Sequence, residues 1–483
     1  MNWNELKRER IYIDGQWCGA DGGGEITVSD PASGEAIGTV PDAGAVETRR
    51  AIEAAQAALG EWGARPAAER AVFLRDLSAA ILDHQDALAE LLTREQGKPL
   101  AEARGEVGMS ASYILWFAEE ARRAYGDVIP SPWRDRQILV TKEPIGVVGA
   151  ITPWNFPSSM LARKIGPALA AGCTVVAKPA SQTPYSGLAW ALLAEMVGIP
   201  AGVLNVVTGS PRAIGGELTA NPLVKKITFT GSTQVGKTLL AQGAGTVKKM
   251  SMELGGNAPF IVFDDADLDR AVEGAIAAKF RNAGQTCVCT NRFYAQSGIH
   301  DAFVEKLAAA TSALRVGSGL EAGTVIGPLI DGHAVAKAET MVADATARGG
   351  RIVVGGGRDE RGDSFFQPTV IADATDDMTL AREEIFGPVA PVFRFQTEDE
   401  VIARANATEF GLACYFYTRD LGRTFRVSKR LQCGIVGVNE GIVTTEVAPF
   451  GGVKESGFGS EGSKYGLGDY MNVKYTCIGG LGL

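Results

Sequence analysis

From about Ala45 to Arg123 the apolar positions fall three and four residues apart, as in Leu77, Ile81 and Leu82 and then Leu88, Leu91 and Leu92, which predicts helices burying one face. These helices are expected to pack rather than to carry chemistry. Ahead of them, Ile11-Tyr-Ile-Asp-Gly-Gln-Trp17 predicts a short hairpin turning at Asp14-Gly15 and pinning the N-terminus. Residues 125–143, with Tyr125, Ile129, Pro130, Pro132 and the alternating stretch 137–141, interrupt the helical run and predict an edge strand or hairpin able to pair outside its own domain. After Pro144 the texture changes to short β-branched runs separated by helical segments, at 146–151, 174–177, 203–207 and 226–229, then at 258–262, 391–394, 413–417 and 434–438. Continuous apolar strands alternating with helices are the signature of βαβ units and parallel sheets buried on both faces. The expected fold is therefore α/β with two open Rossmann-like parallel sheets, and the seam between them falls near Glu253 to Asn257.

Length agrees with two lobes, because 483 residues exceed the roughly 250 to 300 at which a single core stops growing. A hydrophobic share of 46% and a charged share of 21% describe an ordinary globular chain and exclude a disordered one. The net charge of -9, with no basic run, argues against a nucleic-acid or anionic-membrane partner, so an anionic substrate would have to be captured by local arginines. Seven dispersed cysteines do not form a secreted disulfide framework, and no apolar run approaches the roughly 18 residues of a membrane span. The expectation is a cytoplasmic protein without a membrane partner. His84, His300 and His333 lie far apart and no CxxC accompanies them, so no metal site is expected.

The stretch with the most chemistry is 279–292. It sets Cys287 just after a Gly-Gln turn and Arg281 six residues upstream, a nucleophile with a neighbouring anion hook. On this stretch alone a small buried structural cysteine fits as well. Glu253 closes a strand just before a flexible Leu-Gly-Gly turn, where a general base could sit. Asn155 is stiffened by Pro153 and Pro157, as an oxyanion donor requires. Phe229-Thr-Gly-Ser-Thr-Gln-Val-Gly236 ends a strand and opens a helix, where free N–H groups favour phosphate, although its spacing is not GxGxxG and a plain helix cap reads the same way. Lys178 and Ser181 add a cation and a hydroxyl at another strand end, where open α/β sheets bind ligands.

In this order the motifs resemble the NAD(P)-dependent aldehyde dehydrogenase superfamily from about Ile11 to Cys477: Pro153-Trp-Asn-Phe-Pro157, Phe229-Thr-Gly-Ser-Thr233, Glu253-Leu-Gly-Gly256, Gly284-Gln-Thr-Cys287, Glu384-Ile-Phe-Gly-Pro388 and Pro449-Phe-Gly-Gly452. The resemblance implies Cys287 as nucleophile, Glu253 as general base and Asn155 as oxyanion donor together with the Cys287 backbone N–H. It implies a dinucleotide site at Trp154, Lys178, Ser181, Gly231, Ser232, Glu384 and Phe386. It also implies a dinucleotide-binding domain over 1–124 and 144–254, a catalytic domain over 255–455 and an oligomerisation element over 125–143 and 466–483, giving a homodimer or homotetramer. Retention of the base points to the acid-forming branch. Within the superfamily, Ser158–Lys164, Lys178–Pro184, the Cys287-Val-Cys289 pair, Val447–Gly452 and Glu461–Gly466 are similar to succinate-semialdehyde dehydrogenases, with glutarate semialdehyde or another aldehyde as the alternative substrate. A catalytically silent protein of the same fold should have lost Cys287, Glu253 or Asn155. The same likeness places the substrate carboxylate on Arg163, Arg281 and Thr444, with Thr445 one residue away as the other choice, and suggests that Cys289 can close a reversible disulfide onto Cys287. Relatives that prefer NAD commonly carry glutamate where this chain has Ser181, so NADP is the expected cofactor, with NAD possible.

Overall fold

Asp14 and Gly15 have φ values of 51° and 73°, and the turn they make joins strands Ile11–Ile13 and Gln16–Cys18. Two left-handed residues in succession are what a two-residue hairpin turn needs, so the local signal at Asp-Gly is met. The computed structural model of the chain describes residues 1–481. Residues 482–483, the end of the expected oligomerisation element, lie outside the described residues.

The hairpin is docked antiparallel on strand Leu204–Val206, through Tyr12 opposite Val206, at the edge of an eight-stranded sheet. The middle of that sheet is parallel: Lys249–Glu253, Val224–Thr230, Val147–Ile151, Thr174–Lys178 and Leu204–Val206. At its far edge Gly457–Phe458 pairs antiparallel with Met252 and Glu253. The parallel register sets Thr230 opposite Glu253, Phe229 opposite Ile151, and Ile151 opposite Lys178. The carboxyl ends of these strands therefore form one row, the position at which open α/β sheets bind ligands. The second sheet has seven strands in the order Arg351–Val354, Thr369–Ala374, Val389–Phe395, Thr290–Gln296, Ala258–Val262, Ala413–Tyr417 and Ile435–Val438. It is parallel apart from its first strand. Both sheets are thus mixed at their edges rather than purely parallel. Only Leu254–Asn257 separates the last strand of one parallel block from the first of the other, as the sequence pattern predicts.

Helices Ala45–Ala64, Ala67–Asp83, Gln85–Gln96 and Leu100–Ala121 fill the predicted helical stretch. Leu77, Ile81, Leu88, Leu91 and Leu92 are buried, but Leu82 is 51% exposed: it sits about 100° round the helix from Ile81, outside a stripe narrower than expected. Leu100–Ala121 packs on Ser159–Ala171. The contact is close at Gly166, where a Cβ would come within 3.1 Å of the Phe117 ring. A hairpin of Glu25–Ser29 and Ala36–Pro41 was not foreseen.

The segment 125–143 forms a hairpin, one of its two expected forms, but does not supply an edge strand at 137–141. Asp127–Ile129, Arg136–Pro144 and Met471–Gly479 form a separate three-stranded sheet in which the middle strand is Arg136–Pro144, so 137–141 is not an edge. Its register with the C-terminal strand runs unbroken from Met471 opposite Pro144 to Gly479 opposite Arg136. Among the described residues no helix is long and apolar enough to cross a membrane.

Candidate active site

Helix Leu268–Phe280 ends in a turn whose residues Asn282, Ala283 and Gly284 take φ values of 51°, 54° and 78°. Non-glycine residues in this region cost about 1–3 kcal/mol each and persist only where neighbours over-determine them. Here they do. The Asn282 N–H donates to Glu102 Oε2 at 2.8 Å, Asn282 Nδ2 donates to the Asn155 carbonyl at 3.0 Å, and the Ile330 N–H donates to Gln285 Oε1 at 2.9 Å. At Gly284 a Cβ would stand 2.2 Å from the Gly387 carbonyl oxygen, so no other residue fits. The turn delivers Cys287 half-buried just before strand Thr290–Gln296. Burial, with the Glu384 carboxylate adding to it, pushes the Cys287 thiol up to about 12, so the resting sulfur is protonated. Cys289 is buried two residues on, and its Sγ donates to the carbonyls of Lys279 and Thr290 at 3.3 and 3.4 Å.

Asn155 is buried, and its Nδ2 donates to the Gln285 carbonyl at 3.0 Å. One amide hydrogen is thereby fixed on the nucleophile loop, which leaves the second for a ligand. Glu253 is also buried, and neither of its carboxyl oxygens has a partner. Burial, then the nearby Glu461, holds its carboxyl well above the usual range, against Lys164 and Arg163. Glu461 in turn accepts from Lys164 Nζ, which also donates to Thr230 Oγ1 at 2.7 Å, and stands 3.7 Å from Arg163 Nη1. Glu253 lines neither of the cavities described next, so for base duty its side chain has to turn toward Cys287.

Two cavities meet at Cys287 and Met160. One, of about 210 Å³, is walled by Glu102, Glu106, Met109, Phe156, Arg163, Arg281, Thr444 and Phe450. Arg163 is sandwiched, with its guanidinium carbon 4.8 Å from the Tyr113 ring and 4.4 Å from that of Phe450. Arg281 lies 5.5 Å from the Phe156 ring and, among the described residues, forms no ion pair within 4.0 Å. Thr444 faces this cavity, whereas the Thr445 hydroxyl donates to Glu446 at 3.2 Å. The geometry therefore favours Thr444 in the pair left open by the sequence.

The other cavity, of about 380 Å³, runs past Trp154, Asn155, Gly231, Ser232, Glu384 and Phe386. Ser232 caps helix Thr233–Gly243 by accepting from the Val235 N–H, and the Trp154 and Phe386 rings meet edge to face at 5.5 Å. Glu384 accepts from the Gly256 N–H at 3.1 Å, and burial raises its carboxyl to about 7. Lys178 and Ser181 do not line this cavity but lie on the same row of strand ends. The Ser181 hydroxyl is buried without a partner. Lys178 is lowered to about 8 by burial, and its Nζ donates only to the adjacent Pro179 carbonyl. An orphaned hydroxyl and an uncompensated ammonium on the row of strand ends fit a phosphate group of a dinucleotide.

The structure thus brings Asn155, Cys287, Trp154, Gly231, Ser232, Glu384 and Phe386 to one groove, and Arg163, Arg281 and Thr444 to the other. Sequence reasoning missed Met109, Phe156, Met160 and Asp331, the half-buried Glu102 and the buried partners Glu106, Lys164 and Glu461. Phe156, Met160, Lys164 and Glu461 lie inside motifs on which the resemblance rests, and Glu102 and Glu106, one helical turn apart, carried a signal of their own. Among the described residues no cluster of three metal-ligating side chains occurs.

Comparison with known proteins adds a lineage to this geometry. The profile of the aldehyde dehydrogenase family matches residues 17–476. The chain is similar to the NADP(+) succinate-semialdehyde dehydrogenase GabD of Escherichia coli (strain K12), 59% identical over 479 residues and covering 99% of each chain. It is also similar to a glutarate-semialdehyde dehydrogenase of Pseudomonas aeruginosa, 59% identical over 477 residues and 99% of each chain. A crystal structure of an NADP-dependent enzyme of E. coli superposes with a TM-score of 0.98 at 59% identity, covering 99% of each chain.

Proposed function

The chain belongs to the aldehyde dehydrogenase family and is an NAD(P)-dependent aldehyde dehydrogenase, and from that premise we propose that it oxidises succinate semialdehyde to succinate, with NADP as preferred cofactor. The observation that carries the reading is the meeting of two unlike cavities at Cys287, one of them holding an arginine, Arg281, with no carboxylate partner among the described residues. A guanidinium left unpaired in a recessed wall awaits an anion, and bidentate pairing would fix both the place and the direction of a substrate carboxylate. Arg163 and the Thr444 hydroxyl complete that end.

Cys287, a thiol at rest, first gives its proton to water, and the thiolate so formed adds to the aldehyde carbon as the carbonyl electrons move to oxygen. That oxyanion is held by the second Asn155 amide hydrogen and by the Cys287 N–H. When bound in the other groove, the dinucleotide supplies the hydride acceptor. Re-formation of the C=O bond expels hydride and leaves a thioester on Cys287. Glu253 then takes a proton from water, for which its raised pKa makes it a stronger base than an exposed carboxylate. Hydroxide adds to the thioester carbon, the thiolate leaves, and the acid is released.

Glutarate semialdehyde is the second reading, because the P. aeruginosa relative is as similar as the E. coli one. Its extra methylene is worth about 1–3 kcal/mol of discrimination. Measured side by side, kcat/KM should be highest for succinate semialdehyde, lower for glutarate semialdehyde and lowest for an uncharged aldehyde of similar size. A preference for the uncharged aldehyde would overturn the reading. Two further inferences concern setting. All seven cysteines are free, which suits the reducing cytoplasm. The small three-stranded sheet exposes Val128, Val473 and Tyr475, which supports a homodimer or homotetramer built through it, to be read by light scattering.

A further inference from the structure

Lys98 is fully buried, and its Nζ donates to Glu106 Oε2 at 2.6 Å and to the Asn155 carbonyl at 2.7 Å, 3.7 Å above the Phe156 ring. Glu106 uses its other oxygen to accept the N–H groups of Ser158 and Ser159, at 2.9 and 3.1 Å, at the start of helix Ser159–Ala171. The Asn155 carbonyl therefore accepts two bonds: one from Lys98 in the first lobe and one from Asn282 Nδ2 on the nucleophile loop. The same loop is held by Glu102, one turn before Glu106 on helix Leu100–Ala121. The segment carrying Lys98 is itself lodged against the second lobe, since the Leu100 N–H donates to the Gly319 carbonyl at 2.9 Å.

We propose that the buried Lys98–Glu106 pair, acting with Asn282, is a positioning device that fixes the Asn155 peptide and so registers its side-chain amide against the Cys287 loop. The proposal rests on the reading of Asn155 as oxyanion donor. None of Lys98, Glu106 and Asn282 touches the reacting atoms in this scheme, so they are positioning residues. The converging bonds argue for placement rather than bulk stability. A carbonyl bonded both by a charged donor from one lobe and by an amide from the other is held in two directions. A displacement of about 1 Å at a reacting centre costs as much as 100-fold in rate.

The test uses the full-length enzyme. Lys98→Met alone strands a buried carboxylate, so the paired variant Lys98→Met/Glu106→Gln is measured beside it. Asn282→Asp removes the amide donor at nearly constant shape and is the third variant. Each should lower kcat about tenfold, well within the misplacement range. Cofactor Kd and the rate of Cys287 alkylation should stay within about twofold of wild type by the same reasoning. Asn155→Ala should itself lower kcat about 100-fold. In that background the three variants should cost less than about twofold, because there is no amide left to position. An equal loss in both backgrounds, or a fall in binding and alkylation that tracks kcat, overturns the proposal in favour of a general structural role. Wild-type kcat in Asn155→Ala overturns the oxyanion reading beneath it. Should the Lys98 variants fail to fold, Asn282→Asp decides by the same criteria.

Discussion

The two cavities that meet at Cys287 are built from different materials. The substrate side is walled by long side chains, Arg163, Arg281, Met109, Phe156 and Phe450, several of them propped by rings or buried charges. The cofactor side combines side chains, among them Trp154, His333, Lys337, Glu384 and Phe386, with turns at strand ends and helix starts, at Thr230, Gly231, Ser232, Leu254 and Gly255. A wall made only of side chains can change its ligand with one substitution, whereas a wall that also includes strand-end turns keeps its ligand class and is tuned at its margin. Substrate choice should therefore be fragile and dinucleotide binding robust.

The largest break in this contrast is expected at Arg281. Arg281→Ala should lower kcat/KM for succinate semialdehyde about 100-fold, in line with the 2–5 kcal/mol typical of losing one partner of a desolvated charge pair. Turnover of an uncharged aliphatic aldehyde should change little, and equal losses on both substrates would defeat the assignment. On the cofactor side, Ser181→Glu should shift the ratio of kcat/KM values towards NAD by about a decade, since it replaces a donor worth roughly 1.5–3 kcal/mol with a repelling charge. A wild-type enzyme already favouring NAD would refute the NADP reading.

Cys289 lies behind Cys287, the residue at which the two cavities meet, and lines neither of them. Its sulfur is bonded to two carbonyls, so closing a disulfide onto Cys287 requires it to leave them, and residues two apart span close to the ~7 Å limit for a bridge. Peroxide should inactivate wild type reversibly under dithiothreitol, and Cys289→Ala should recover severalfold less activity; full recovery of the variant would rule the bridge out. The smallest effect links the two sides electrostatically. With its thiol near 12, unliganded Cys287 should be alkylated by iodoacetamide slowly at pH 7, with the rate still climbing above pH 9, where an ordinary thiol of pKa about 8.5 has levelled off. Glu384→Gln removes a negative charge that raises this thiol, so alkylation at pH 8 should quicken about two- to threefold. A slower rate would reverse the sign argued here. The Glu384 carboxyl also titrates near 7 in the folded chain against roughly 4.5 unfolded. Its folded pKa is raised, so its contribution to stability is complete below about pH 4.5 and is lost as pH rises through 7. Glu384→Gln should flatten that part of the Tm–pH curve.

What the sequence alone determined is whatever depends on neighbours in the chain. The parallel strands were legible because burial on both faces writes them as continuous β-branched runs, and the hairpin at Asp14-Gly15 because two left-handed residues need that dipeptide. Cys287, Asn155, Glu253 and the turn at Gly231-Ser232 stood out because each sits in a short motif at a strand end or tight turn, and the roles proposed for them came from the family resemblance. The antiparallel edges of both sheets were not legible, because an edge strand answers to a single neighbour and can come from anywhere in the chain. The resemblance grouped 125–143 with the C-terminal segment, but that Arg136–Pro144 is the middle strand, paired on its other side with Met471–Gly479, came only from the fold. The polar supports of the site were equally hidden. Lys98 reaches Asn155 across 57 residues, Asn282 reaches Glu102 across 180, and Lys164 reaches Glu461 across 297. Only the folded chain decides such pairs, because a buried charge has to find its partner in space, and no local pattern records which partner the packing of two lobes will bring.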